Sequence, residues 1–166
     1  MSHLEKVFNI KNKLIIITGA ASGNGKAIAL GLSKLKCKLL ICDNDSIKLN
    51  NTFNLIKKHN PKNQKFSLDL SDTNEINNFI KYIKKNKLKV DVLINNAGIS
   101  LPSNLIEYPI ELWNETLNVN LRAPFLLTKT LKTILETSTL PRIIFTSSGV
   151  ASIGRAFWGA YSVSKF

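Results

Sequence analysis

An α/β fold built on a parallel sheet is predicted by two features of the sequence. From Lys13 onward, short runs of aliphatic and β-branched residues alternate with longer stretches whose apolar residues recur at helical spacing. The first of these runs closes on a glycine-rich turn that opens straight into a helix. A strand that feeds a helix and then another strand pairs in parallel through a right-handed crossover, with helices on the faces of the sheet. No linker, low-complexity tract or internal repeat interrupts the pattern, so residues 1–166 are expected to form one domain, a doubly wound three-layer αβα sandwich.

The elements follow in order. "KLIIITGA" reads as a buried strand, because an apolar β-branched run closed by Thr-Gly has no solvated face. "NGKAIALGLSKLK" is the first helix, and "CKLLICD" a second buried strand ending on an acid. "SIKLNNTFNLIKKHN" reads as a helix opened by a serine cap, with "PKN" as the turn after it. "QKFSLDLSD" supplies a shorter strand and turn. In "TNEINNFIKYIKKNK", Ile76, Phe79, Ile80 and Ile83 share one helical face. "KVDVLINNAG" is the next strand, stopped by glycine. "PIELWNETLNVNLRAPFLLTKTLKTILETS" reads as one long helix, bent or interrupted at Pro124, and "PRIIFTSSG" as the strand that follows.

Composition narrows the class. Apolar residues make up 44% of the 166 residues, enough for a core, and no run of about 18 apolar residues could cross a membrane. The stretch "MSHLEKVFNIKNK" carries no hydrophobic targeting run, so a cytoplasmic protein is expected. Cys37 and Cys42, with no histidine nearby, match no zinc spacing and are read as buried and reduced; no metal site is expected. The formal charge of +12 would suit a nucleic-acid partner. The lysines of "IKKHNPKNQK" and "YIKKNKLK" are instead spread over helix ends and loops without interleaved aromatics. They are read as a compositional bias, and no nucleic-acid partner is expected.

In "TGAASGNG", Gly19, Gly23 and Gly25 permit positive φ and let the backbone approach a pyrophosphate, whose charge the helix N-terminus would meet with free N–H groups. Ser22 adds a hydroxyl there. Asp43 ends the second strand beside the first, where a carboxylate would accept bonds from a ribose diol and repel a 2′-phosphate. A turn or capping aspartate is the alternative reading, and "DNDS" offers further candidates for that. Asp69, after the third strand, could meet an exocyclic amine or serve only its turn.

Five motifs taken together resemble the short-chain dehydrogenase/reductase family over Lys13–Phe166: "TGAASGNG", "NNAG", Asn120, Ser148 and the closing "YSVSK". The resemblance implies a Rossmann-type sheet, a nicotinamide cofactor and an alcohol or carbonyl substrate. It implies that Gly19, Ser22, Gly23, Asn24 and Gly25 hold the phosphates, Asp43 the adenosine ribose, and Asp69 and Leu70 the adenine. It implies that Asn96, Ala97 and Gly98 line the groove, that Asn120, Ser148, Tyr161 and Lys165 form a catalytic tetrad, and that Tyr161 and Lys165 also touch the cofactor. Asp43, followed by Asn44 rather than a basic residue, favours NAD, with an NADP-dependent carbonyl reductase or a non-catalytic dinucleotide-binding relic as alternatives. Asn24 stands where the family usually has an aliphatic residue, so slightly weaker packing beneath the first helix is expected.

The chemistry suits these residue types. A free phenol is too weakly acidic to make a good base near neutrality. An ammonium one helical turn away favours its phenolate form, and Tyr161 and Lys165 have that spacing. Ser148 would donate to the substrate oxygen. Pro124 has no N–H to give the carbonyl of Asn120, so that carbonyl is expected to be free for a water, which the resemblance implies is part of a proton relay.

The resemblance also implies further strands, a substrate-covering loop and a carboxamide site after the lysine. The chain is therefore expected to be a fragment of a homodimeric or homotetrameric parent. As a fragment it should bind NAD weakly and turn over little, with the fifth strand left as an exposed apolar edge.

Overall fold

A computed structural model describes residues 10–166. The expectation about a targeting run at the N-terminus falls largely on residues 1–9 and lies outside them. Five strands, β1 (Leu14–Thr18), β2 (Lys38–Asp43), β3 (Gln64–Ser67), β4 (Val92–Asn95) and β5 (Arg142–Phe145), form one parallel sheet in the order β3-β2-β1-β4-β5. Connections run outward from β1 on one side and from β4 on the other. The strand order therefore reverses between β1 and β4, and a crevice opens beyond their carboxyl ends.

The aliphatic runs are buried on both faces because helices cover both. Leu14, Ile16, Leu40 and Leu93 pack on Phe79 and Ile83 of α3 (Thr73–Lys85) and on Leu127 and Leu131 of α5 (Ala123–Leu135). Alternate residues Ile15, Ile17, Leu39 and Ile41 face Ala29 of α1 (Gly23–Ser33) and Leu49 and Ile56 of α2 (Ser46–Lys57). Each such side chain taken fully from water contributes about 1.5–3 kcal/mol, which is why the three-layer arrangement holds. The predicted face of α3, Ile76, Phe79, Ile80 and Ile83, is buried throughout. Cys37 and Cys42 are free and buried, and burial pushes the Cys37 thiol up to about 11.

Two expectations are corrected. The cap of α2 is Asp45, whose carboxylate accepts from the Lys48 N–H at 2.9 Å, and Ser46 is already the first helical residue. The long helix breaks before Pro124, not at it. It consists of α4 (Ile110–Leu117), a π-helical turn over Asn118–Arg122, and then α5. In that turn the Ala123 N–H reaches back to the Asn118 carbonyl. The inserted residue shifts the ladder upstream of Pro124, which then sits in the first turn of α5 where no N–H is required.

A short 3₁₀ turn (Gly149–Ala151) leads into α6 (Gly159–Lys165), which packs on α4 and the π turn. β5 forms one edge of the sheet, with Ile144 46% and Phe145 57% exposed, as expected for that strand. Among the described residues no helix is long and apolar enough to cross a membrane.

Candidate active site

A cleft of about 440 Å³ occupies the reversal point and collects most of the residues singled out in the sequence. It runs from Asp43, Asp69 and Leu70 at one end, past Gly19, Ser22, Gly23 and Asn24, to Asn96, Ala97, Gly98, Tyr161 and Lys165 at the other.

The glycine turn is shaped by close approach. Gly19 has φ +68°, and a Cβ on it would lie 2.7 Å from the Cα of Ala97. A Cβ on Gly25 would lie 2.0 Å from the Gly19 carbonyl oxygen, so α1 can start this near β1 only with glycine there. Gly23, φ +50°, faces open space. Ser22 stands at the cap of α1 but makes no side-chain bond to it, so its hydroxyl is available in the cleft. Asn24 is exposed in the first turn and lines the cleft, rather than lying in the buried contact beneath the helix. The expected loss of packing beneath the helix is therefore not found.

The acids are pre-arranged. Asp43 Oδ2 accepts from the Ala21 N–H at 2.9 Å and Oδ1 from the Asp45 N–H at 3.0 Å, so it serves its own turn while lining the cleft. Asp69 accepts from the Ser71 N–H and hydroxyl, both at 2.8 Å, and its own N–H donates to Glu75 at 2.6 Å.

Asn96 fastens the strand ends together. Its Nδ2 donates to the Thr18 and Gly19 carbonyls at 3.0 and 3.2 Å, and its Oδ1 accepts from the Thr146 hydroxyl at 3.3 Å. The Thr18 hydroxyl in turn accepts from the N–H groups of Asn96 and Ala97, each at 3.1 Å. Asn120 lies behind the floor of the cleft. Its amide pairs with the backbone of Ile99 in both directions, accepting from the N–H and donating to the carbonyl at 2.8 Å each, and it also donates to Ser164 at 2.9 Å.

Lys165 donates to the Thr146 carbonyl at 3.0 Å, and burial lowers its affinity for a proton. A Cβ on Gly98 would come within 3.2 Å of Lys165 Nζ, so glycine leaves the ammonium its place. That Nζ lies 5.7 Å from the centroid of the Tyr161 ring, whose edge-to-face neighbour is Trp158 at 5.4 Å. Ser148 is not among the residues that line the cleft. It caps the 3₁₀ turn, accepting from the Val150 N–H at 3.5 Å. Among the described residues no group of three metal-ligating side chains converges.

Sequence reasoning missed three supports. Thr18, 1% exposed at the end of a buried strand, had to find partners, and that was a readable signal. Ser164 acts through its hydroxyl inside the turn between Tyr161 and Lys165, and Thr146 through both its hydroxyl, toward Asn96, and its carbonyl, toward Lys165; the partners of both lie on other elements and become visible only in the fold.

Fold and cleft together define an α/β protein of the dinucleotide-binding, doubly wound class. Residues 13–166 match the family model described as short chain dehydrogenase, and the chain belongs to that family of oxidoreductases. It is 30% identical over 163 residues to a 2-dehydro-3-deoxy-D-gluconate 5-dehydrogenase of Pseudoalteromonas atlantica, covering 98% of this chain and 64% of that one. It is 36% identical over 153 residues to a 3-oxoacyl-(acyl-carrier-protein) reductase of Buchnera aphidicola, covering 92% and 62% respectively. A metagenomic short-chain oxidoreductase in complex with NADP superposes with a TM-score of 0.88 at 28% identity, over 94% of this chain and 71% of that one. The chain thus spans less than two thirds of the length of these two curated relatives.

Proposed function

We propose that the chain carries the cofactor cleft and the proton-transfer residues of an NAD-dependent oxidoreductase acting on a secondary alcohol or ketone. The observation that carries this reading is the single cleft shared by the glycine turn, Asp43, Tyr161 and Lys165. A dinucleotide fits it on steric grounds, since Gly23 faces open space and a cleft of about 440 Å³ lies in the usual range for cofactor pockets. When bound, the nicotinamide supplies or takes the hydride.

The chain's own groups do the rest. Cleft-lining charges are Asp43, Asp69 and Glu115 against Lys165, so phosphate charge falls on the first-turn N–H groups of α1 rather than on a cation nearby. Asp43 faces the ribose diol, with NADP disfavoured by charge. Lys165 holds the cofactor ribose and keeps an ammonium beside the Tyr161 ring. Tyr161 gives its proton to the developing alkoxide in reduction and takes it back in oxidation. Ser148 turns its hydroxyl to the substrate oxygen. Asn120, Pro124, Ser164 and Lys165 border a second cavity of about 360 Å³, and a water held there on the Asn120 carbonyl would extend a proton path from Lys165.

A non-catalytic cofactor binder is the second reading, favoured by the Ser148 hydroxyl serving as the cap of its own 3₁₀ turn and by its absence from the cleft lining. Titration of the chain with NADH and NADPH, followed by turnover of secondary alcohols and ketones by a form that carries these residues at the full length of the relatives, tests both. Tight NADH binding without turnover selects the second reading, and no binding of either cofactor overturns both.

A further inference from the structure

The lysines that look dispersed in the sequence are gathered by the fold. Strand entries and helix ends all meet at the end of the sheet opposite the cofactor cleft. There Lys11, Lys13, Lys38, Lys62, Lys87 and Lys89 line one concavity of about 650 Å³. Its one acid, Asp91, is already engaged. Burial would raise its proton affinity, but bonds from Ser138, the Leu14 N–H at 2.9 Å and Lys13 at 3.2 Å outweigh that and hold it as a carboxylate. Among the described residues the other five lysines make no ion pair.

We infer that this groove is a binding site for a linear oligophosphate, distinct from the cofactor cleft. Complementing helix dipoles does not account for the cluster. The last turns of α2 and α3 carry Lys57, Lys84 and Lys85, and none of these lines the groove. Lys87 takes a left-handed backbone, φ 49°, where glycine would cost less, and it brings a cation to the groove wall. Flexible ammonium groups neutralise a chain of phosphates as point charges, without the paired geometry that arginine gives a carboxylate. No aromatic side chain lines the concavity, so nothing there stacks bases.

Calorimetric titration of the chain with inorganic triphosphate, at low and at physiological salt, tests this. The variant Lys62→Gln/Lys87→Gln/Lys89→Gln should bind about tenfold more weakly and show a shallower salt dependence. Lys81→Gln/Lys84→Gln/Lys85→Gln, which removes the same charge from exposed positions of α3 outside the groove, should stay within about twofold of the parent. Single Lys62→Glu, on an exposed turn, gives a second measure should the triple variant fold poorly. Equal weakening by both triple variants would reduce the effect to bulk charge. No weakening by either would move the anion to the glycine turn. Binding of single-stranded RNA or anionic vesicles, with triphosphate ignored, would give the groove to another partner. Each of these three results overturns the proposal.

Discussion

The side-chain amide of Asn120 donates to the Ser164 hydroxyl at 2.9 Å, and that hydroxyl donates onward to the Tyr161 carbonyl at 2.7 Å. Through this pair the π turn grips the helix that presents Tyr161 and Lys165. Because Asn120 also brackets Ile99, the loop after β4, the π turn and α6 are held as one unit around the cleft. A widened turn is useful here, since it is a place in a helix where side-chain direction changes without ending the element.

Ser164→Ala should therefore loosen α6. One hydrogen of the Asn120 amide loses its acceptor, and the Tyr161 carbonyl loses its side-chain donor, in a site where Ser164 is 9% exposed. The expected cost is about 1–2 kcal/mol, read from the urea midpoint. Weakened NADH affinity should accompany it, with Ser164→Thr restoring part of both. Unchanged stability in the alanine variant would show that the bond carries no weight.

Gly25→Ala and Gly31→Ala should move stability in opposite directions, although both lie in α1. At Gly25 the added methyl meets the Gly19 carbonyl at 2.0 Å, so α1 must retreat from β1, and a loss of about 2 kcal/mol or more is expected along with the cofactor. At Gly31 it meets nothing within 4 Å, and a gain of about 0.5–1 kcal/mol follows from helix propensity alone. Thermal melts of the two variants decide it, and a stabilised Gly25→Ala would refute the packing account.

These contrasts mark what a sequence makes legible. Both faces of the sheet were readable, because an uninterrupted run such as Leu14–Ile17 has no polar residue to turn outward. The glycine turn and the Tyr161–Lys165 spacing were readable because each is a local geometric need. The π turn was not, since its cause is distributed. A proline forbids one bond, and the helix relaxes several residues upstream. Ser46 misled as a cap because Asp45 beside it serves equally well in type. The lysine groove was invisible for a different reason: its lysines come from four separate loops and strand ends, brought together only by topology.

Asp43→Ala should shift cofactor preference. The carboxylate that would oppose a 2′-phosphate disappears, and so does the acceptor for the Ala21 N–H at 2.9 Å. NADH should bind more weakly, and the ratio of NADPH to NADH affinity should rise by about tenfold, corresponding to ~1.4 kcal/mol. Fluorescence titration with both nucleotides measures it. An unchanged ratio would mean that Asp43 serves its turn alone.

Lys165 gives the chain a pH signature that can be assigned to one side chain. Burial lowers its proton affinity below the ordinary value of 10.5, so the folded state releases the proton before the unfolded state does. Between the lowered folded value and 10.5 the unfolded chain binds more protons, and stability rises with pH across that window. Below it, the charged form carries its full desolvation penalty, offset in part by the bond to the Thr146 carbonyl. Lys165→Met keeps the length of the stem and removes the titration. Other groups titrate in the same range in both proteins, so the quantity to follow is the difference between parent and variant in urea midpoints. That difference should move toward the parent as pH rises. A flat or opposite trend would mean that the ammonium is as well solvated in the folded chain as in the unfolded one, and the tight placement of Lys165 beneath Gly98 would be wrong.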